Sequence, residues 1–230
     1  MCGMNLLAIE TSTALGSIAV WRDGDILQRA CPADVSHSAT LLPLIRATMC
    51  EARLGFADLH AIAFAAGPGS FTGLRVACAV AQGLAIAHQL PVIPVGTLDA
   101  MALASGGARV IVALDARMGE VYCGSWVARV PQGAVRVCHP SEVPVPDSSG
   151  WLACGNGLAA YPLVRDRLSG CVAIWEPERM PDAGAVARLG ALRLARGEAV
   201  DAADAAPIAI RSQSNPALPH IRVTHYSPHK

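Results

Sequence analysis

Hydrophobic positions at the start of the chain fall in short blocks. Asn5–Glu10 is apolar except at its two ends, the pattern of a buried strand that closes on a carboxylate. The turn Thr11-Ser12-Thr13-Ala14-Leu15-Gly16 separates it from Ser17–Arg22. Asp23-Gly24, a strong two-residue hairpin signal, then leads into Asp25–Cys31. Three consecutive strands joined by tight turns are predicted. The period then changes. Leu41, Leu44, Ile45 and Thr48 recur at helical spacing, with Leu42 and Met49 widening the stripe. They predict a helix from His37 to about Arg53, with Ser36 as its cap and Gly55 beyond its end. Ala61–Ala66 is a continuous apolar run of strand length. After the glycine-rich loop Gly67-Pro68-Gly69-Ser70-Phe71-Thr72-Gly73, a second helix is predicted from about Leu74 to His88. Leu90-Pro91 breaks it, Val92–Val95 reads as a strand, and Leu98–Ala104 as a short helix.

Ser105-Gly106-Gly107 marks a boundary, so residues 1–106 and 107–230 are expected to form two units. The second opens as the first does: Arg109–Asp115 is a strand ending in a carboxylate, Ala116-Arg117-Met118-Gly119 a turn, and Glu120–Arg129 a strand. A third strand is expected over Val135–Cys138, followed by the proline-rich stretch Pro140 to Pro146. Trp151–Cys154 and Val172–Trp175 read as strands, Tyr161–Leu168 and Ala183–Arg196 as helices, and Gly155-Asn156-Gly157 as a turn. Two related α/β halves imply a cleft between them. The tail after Arg211 carries no periodicity and is expected to be irregular.

Composition narrows the function classes. Of 230 residues 53% are apolar and only 16% charged, below the ~25% of an average soluble domain. Composition alone favours a genome bias toward alanine over an apolar surface kept for a partner. Lys+Arg and Asp+Glu number 18 each, and the only lysine is Lys230. Without a basic run, this chain is not expected to be what grips a nucleic acid. The eight cysteines form no C-x-x-C pair and several lie in apolar runs, which argues against zinc and for a reducing compartment. Glu10 interrupts the first apolar stretch, so no signal peptide is read. Val76 to Ala87, broken by Gln82, is too short for a bilayer of ~30 Å. A cytoplasmic protein, not a membrane one, is expected.

Three motifs bear on chemistry. Glu10-Thr11-Ser12-Thr13 at a strand end suits a hydrated metal or phosphate, and suits ordinary turn chemistry better. The glycine loop before a helix suits an anion, although it lacks the Lys-Ser/Thr of a P-loop. Glu10, Thr11, Ser12, Gly67, Gly69, Ser70, Thr72 and Gly73 are therefore a candidate vestigial nucleotide or anion site. Asp115 and Glu120 are five apart and more plausibly satisfy a hairpin, with Arg117 as counter-charge, than perform acid–base work. On the second helix Val76, Val80 and Leu84 can face the chain's own sheet. That would leave Ala77, Ala81 and Ala85 as an exposed stripe beside Leu41 and Ile45.

Taken in order, Ile9 to Thr13, His37 to Pro43, Gly67 to Arg75, Gly83 to Ala85 and Asp115 to Tyr122 resemble the TsaB (YeaZ) family, non-catalytic relatives of TsaD. The resemblance covers residues 5 to about 125 firmly, thins afterwards, and returns at Pro207 to Arg211. It implies an α/β fold of two RNase H-like domains of the actin/Hsp70/sugar-kinase superfamily, the second degenerate. It implies a subunit that supports a TsaD-like catalytic partner, with a TsaE-like ATPase, in forming threonylcarbamoyladenosine in tRNA. A homodimer is a further expected state, and tRNA is met only through the complex. No catalytic residue and no metal is implied, because Thr97 and Met101 stand where TsaD carries its two histidines. No cofactor is implied for the isolated chain, with ATP or ADP at the complex junction. The partner surface implied by the first two helices comprises His37, Leu41, Leu44, Ile45, Arg75, Ala77, Ala81 and Ala85. The rival reading is a stand-alone ATPase or kinase of the same superfamily, which needs a second carboxylate poised for phosphoryl transfer.

Overall fold

The chain is described by a computed structural model covering residues 3–33, 35–208 and 210. Strands β1 (Asn5–Glu10), β2 (Ser17–Arg22) and β3 (Asp25–Ala30) form an antiparallel meander. Helix α1 (His37–Glu51) leads to β4 (Ala61–Gly67), α2 (Phe71–His88) to β5 (Val92–Gly96), and both strands add parallel to β1. The sheet order is β3-β2-β1-β4-β5, the RNase H-like arrangement.

After α3 (Thr97–Ser105) the second half builds a smaller sheet from β6 (Arg109–Arg117), β7 (Glu120–Val127), β8 (Val130–Pro131), β9 (Arg136–Cys138), β10 (Trp151–Cys154) and β11 (Val172–Glu176). Its order is β11-β10-β6-β7-β8, with β9 also pairing β7. Helices α4 (Gly157–Ala160) and α5 (Pro162–Leu168) cover one face, and α6 (Ala183–Ala195) follows.

Strand alternation distributes the cores. Leu7, Ile9, Ile18 and Val20 face α1 and α2, whereas Leu6, Ala8 and Ala19 face α6. Helix α3 lies between the sheets, giving Ala100 to the first and Leu98 and Met101 to the second. Helix α6, expected within the 107–230 unit, packs instead on the first sheet. Gly190 permits this: a Cβ there would lie 2.8 Å from that of Ala63. The following segment also returns to the first half, where Val200 bridges Val92 and Gln82 donates to the carbonyls of Ala202 and Ala205.

Several boundaries move for local reasons. Ser70 accepts from Gly73 N, so α2 begins at Phe71, three residues before the expected start. The single helix expected over Tyr161–Leu168 is two, because Pro162 drives Tyr161 out of the helical region (φ −130°, ψ 90°). Left-handed Ala128 and Arg129 end β7 at Val127 and turn the chain into β8, which the sequence pattern missed. By length and composition α2 is apolar enough to cross a membrane, and in the fold it lies on the first sheet. The tail after Arg211 lies outside the described residues.

Candidate functional site

Two regions hold the residues singled out by sequence: the β1 turn with the glycine loop, and the outer helical layer formed by α1 and α2.

At the first, Glu10 closes β1 and is fully buried. One carboxylate oxygen accepts from Ser12 N, and the other has no protein partner. Burial is the main cause that pushes its pKa up to about 7. The Ser12 hydrogen bond opposes the shift, and nearby Asp182 adds to it. Thr11 Oγ1 donates to Gly73 O at 2.8 Å, and Ser70 N donates to Ser12 O at 2.6 Å. A Cβ at Gly69 would sit 2.5 Å from Ser12 O, and one at Gly73 would sit 1.8 Å from Thr11 O. The glycines are required because the Thr11-Ser12 backbone lies against them.

The glycines of the candidate anion site thus accommodate the chain's own Thr11-Ser12 turn. Glu10, Thr11, Ser12, Gly69, Ser70 and Gly73 are brought together. Thr72 stands exposed on the first turn of α2, and Gly67 packs under the carbonyl of Ile208 instead.

The second half repeats the device. Gly155 and Gly157 press on Ala113 O, where Cβ atoms would approach to 2.2 and 2.9 Å. Asp115 accepts from Arg117 N and from the Tyr161 hydroxyl, both at 2.8 Å, so it serves its own hairpin. The Tyr161 contact had no sequence signal. Thr97 and Met101 are buried at the start of α3, and the Thr97 hydroxyl is unpartnered. Among the described residues no three His, Cys, Asp or Glu side chains are grouped to hold a metal ion.

In the helical layer the expected stripe is reversed. Ala77, Ala81 and Ala85 are fully buried against the sheet, as are Leu41 and Ile45. The reason is volume. Strand β4 supplies Ile62 and Phe64 to this core, so the helix above them contributes small side chains. Val76, Val80 and Leu84 are displaced to the flank, half-buried, and the outward face carries Phe71 (62% exposed), Ala79, Gly83 and Ile86 (65%). Leu42 of α1 is exposed nearby in sequence to half-buried Leu44. The guanidinium of Arg75 lies 3.2 Å over the Phe71 ring. His37 is half-buried, its Nε2 3.0 Å from Thr13 O, so it ties α1 to the β1–β2 turn. Phe71 and Ile86 were missed because each lies outside the alanine stripe used to find the surface.

Known proteins bear on both regions. Residues 32–135 match the family model for TsaD, tRNA N6-adenosine threonylcarbamoyltransferase. The tRNA threonylcarbamoyladenosine biosynthesis protein TsaB of Escherichia coli (strain K12) is 32% identical, over 91% of this chain and 95% of its own length. The TsaB protein of Haemophilus influenzae is 35% identical over 70% of this chain and 75% of its own. A crystal structure of a Pseudomonas aeruginosa protein described as similar to peptidase YEAZ superposes with a TM-score of 0.83. It is 34% identical and covers 90% of this chain and all of that one.

Proposed function

The chain belongs to the TsaB family of tRNA threonylcarbamoyladenosine biosynthesis proteins, and from that premise we propose that it is a non-catalytic cytoplasmic subunit. It binds a TsaD-like catalytic subunit, together with a TsaE-like ATPase, and supports transfer of threonylcarbamoyl to the adenosine beside the anticodon.

The observation that carries this reading is the outward face of α2. Phe71 and Ile86 are exposed on it, half-buried Val76, Val80 and Leu84 flank it, and Arg75 is the only Arg, Lys, Asp or Glu in the helix. An apolar face of this kind stabilises a complex when a partner excludes water from it. The same face supports a homodimer, which then competes with the catalytic partner.

The non-catalytic role is supported by ligand chemistry. A threonine hydroxyl and a methionine thioether at 97 and 101 are poor ligands for iron or zinc. Glu10 is fully buried, and the Thr11-Ser12 backbone that follows it lies against Gly69 and Gly73. Any ATP or ADP is bound at the junction with the partner, and tRNA is held by the assembled complex.

The test is Ala79→Arg, which places a charge on the exposed stripe. The variant keeps its circular dichroism spectrum and its melting temperature, and loses co-purification with the catalytic subunit. A folded variant that binds at full affinity removes α2 from the interface.

A further inference from the structure

Away from both regions, the second sheet brings two thiols into contact. Strands β7 and β9 pair with Val121 opposite Cys138 and Cys123 opposite Arg136. Alternate residues of a strand share a face, so Cys123 and Cys138 are diagonal neighbours on one face. Their sulfurs are 3.8 Å apart. Cys123 is buried in the core beneath α4 and α5, whereas Cys138 is half-exposed at the edge of that core. One thiol is thus within reach of a small solute, and the other stands directly behind it.

We propose that Cys123 and Cys138 form a redox pair, converted by hydrogen peroxide into a reversible disulfide between β7 and β9. The Cys138 thiolate attacks one peroxide oxygen. The O–O bond breaks, hydroxide leaves, and Cys138 becomes a sulfenic acid. Cys123, giving up its proton, then attacks the Cys138 sulfur, and the S–O bond breaks with loss of a second hydroxide. The thiol protons convert both hydroxides to water. Two thiols are oxidised and one peroxide is reduced, leaving one disulfide and two waters.

Diagonal neighbours have Cα atoms ~7–8 Å apart, beyond the usual reach of a disulfide. The three-residue strand β9, which pairs only with β7, must shift inward to close the bond. The resulting strain keeps the bridge open to thiol reductants. Burial pushes the Cys123 thiol up to about 12 and raises Cys138 as well, so the bridge forms slowly at neutral pH and faster as pH rises.

The test treats the full chain with hydrogen peroxide, alkylates the remaining thiols after unfolding, and maps the peptides. The expected result is one linked peptide joining Cys123 to Cys138, with loss of both alkylation sites and their recovery after dithiothreitol. Cys123→Ser abolishes the link and leaves Cys138 as an over-oxidised acid. A chain unfolded in urea before treatment gives no preference for this pair. The proposal is overturned if both thiols stay alkylatable once exposed Cys50 is oxidised. It is equally overturned if Cys138 pairs with another cysteine, or if native Cys138 reaches the sulfinic state while Cys123 remains free.

Discussion

Replacing Glu10 by glutamine tests the β1 turn through its pH dependence. The folded carboxyl is raised to about 7 from its ordinary value of 4.5, chiefly by burial. A raised acid binds its proton more tightly in the folded chain than in the unfolded one. Its contribution to stability is therefore fully present below about pH 4.5 and is lost as pH rises through about 7. Between about pH 5 and about pH 8 this one group removes on the order of 2.5 kcal/mol. The side chain is fully buried, so solvent does not screen this cost. Glutamine keeps the shape and an oxygen that accepts from Ser12 N, but it never ionises. Urea unfolding of both proteins across this range separates the Glu10 contribution from that of every other titrating group, because only the difference between them is read. The two stabilities lie closest at the acid end, and the variant gains on the wild type as pH rises. Parallel curves show that Glu10 is solvated or paired in the folded chain and refute the reasoning.

Two further substitutions test the packing. Gly73→Ala places a Cβ 1.8 Å from Thr11 O, so it separates the turn from the glycine loop. It destabilises the chain by ~3 kcal/mol, read by chemical unfolding without any ligand. Ala81→Arg puts a charge into a fully buried site and prevents folding, seen as loss of the native circular dichroism spectrum. The exposed neighbour Ala79→Arg does not.

The reversed alanine stripe shows what the chain's pattern conveys and what it does not. Apolar spacing on α2 revealed a helix with two apolar faces. Which face turns inward depends on side chains contributed by another segment, Ile62 and Phe64 of β4, and no window on α2 contains them. The strands of the first sheet were legible because alternation, continuous apolar runs and the Asp23-Gly24 turn are local signals. The return of α6 to the first sheet was not, since it rests on Gly190 meeting Ala63 across 127 positions. In the β1 turn, the glycines signalled a close backbone approach. They carried no mark of whether a ligand or the chain itself would approach, and Thr11 and Ser12 answer that only in three dimensions.

The central claim is that this chain supports catalysis by a partner and performs none itself. It is tested most directly by reconstituting threonylcarbamoyl transfer to tRNA from purified components. These are the TsaD-like catalytic subunit, the TsaE-like ATPase, threonylcarbamoyl-adenylate and this chain, with modified adenosine measured by mass spectrometry. The account predicts no product from the chain alone, multiple-turnover product when all components are present, and loss of that product when the chain is omitted or replaced by Ala79→Arg. Product formed by the chain without the catalytic subunit, or an undiminished yield without the chain, would contradict it.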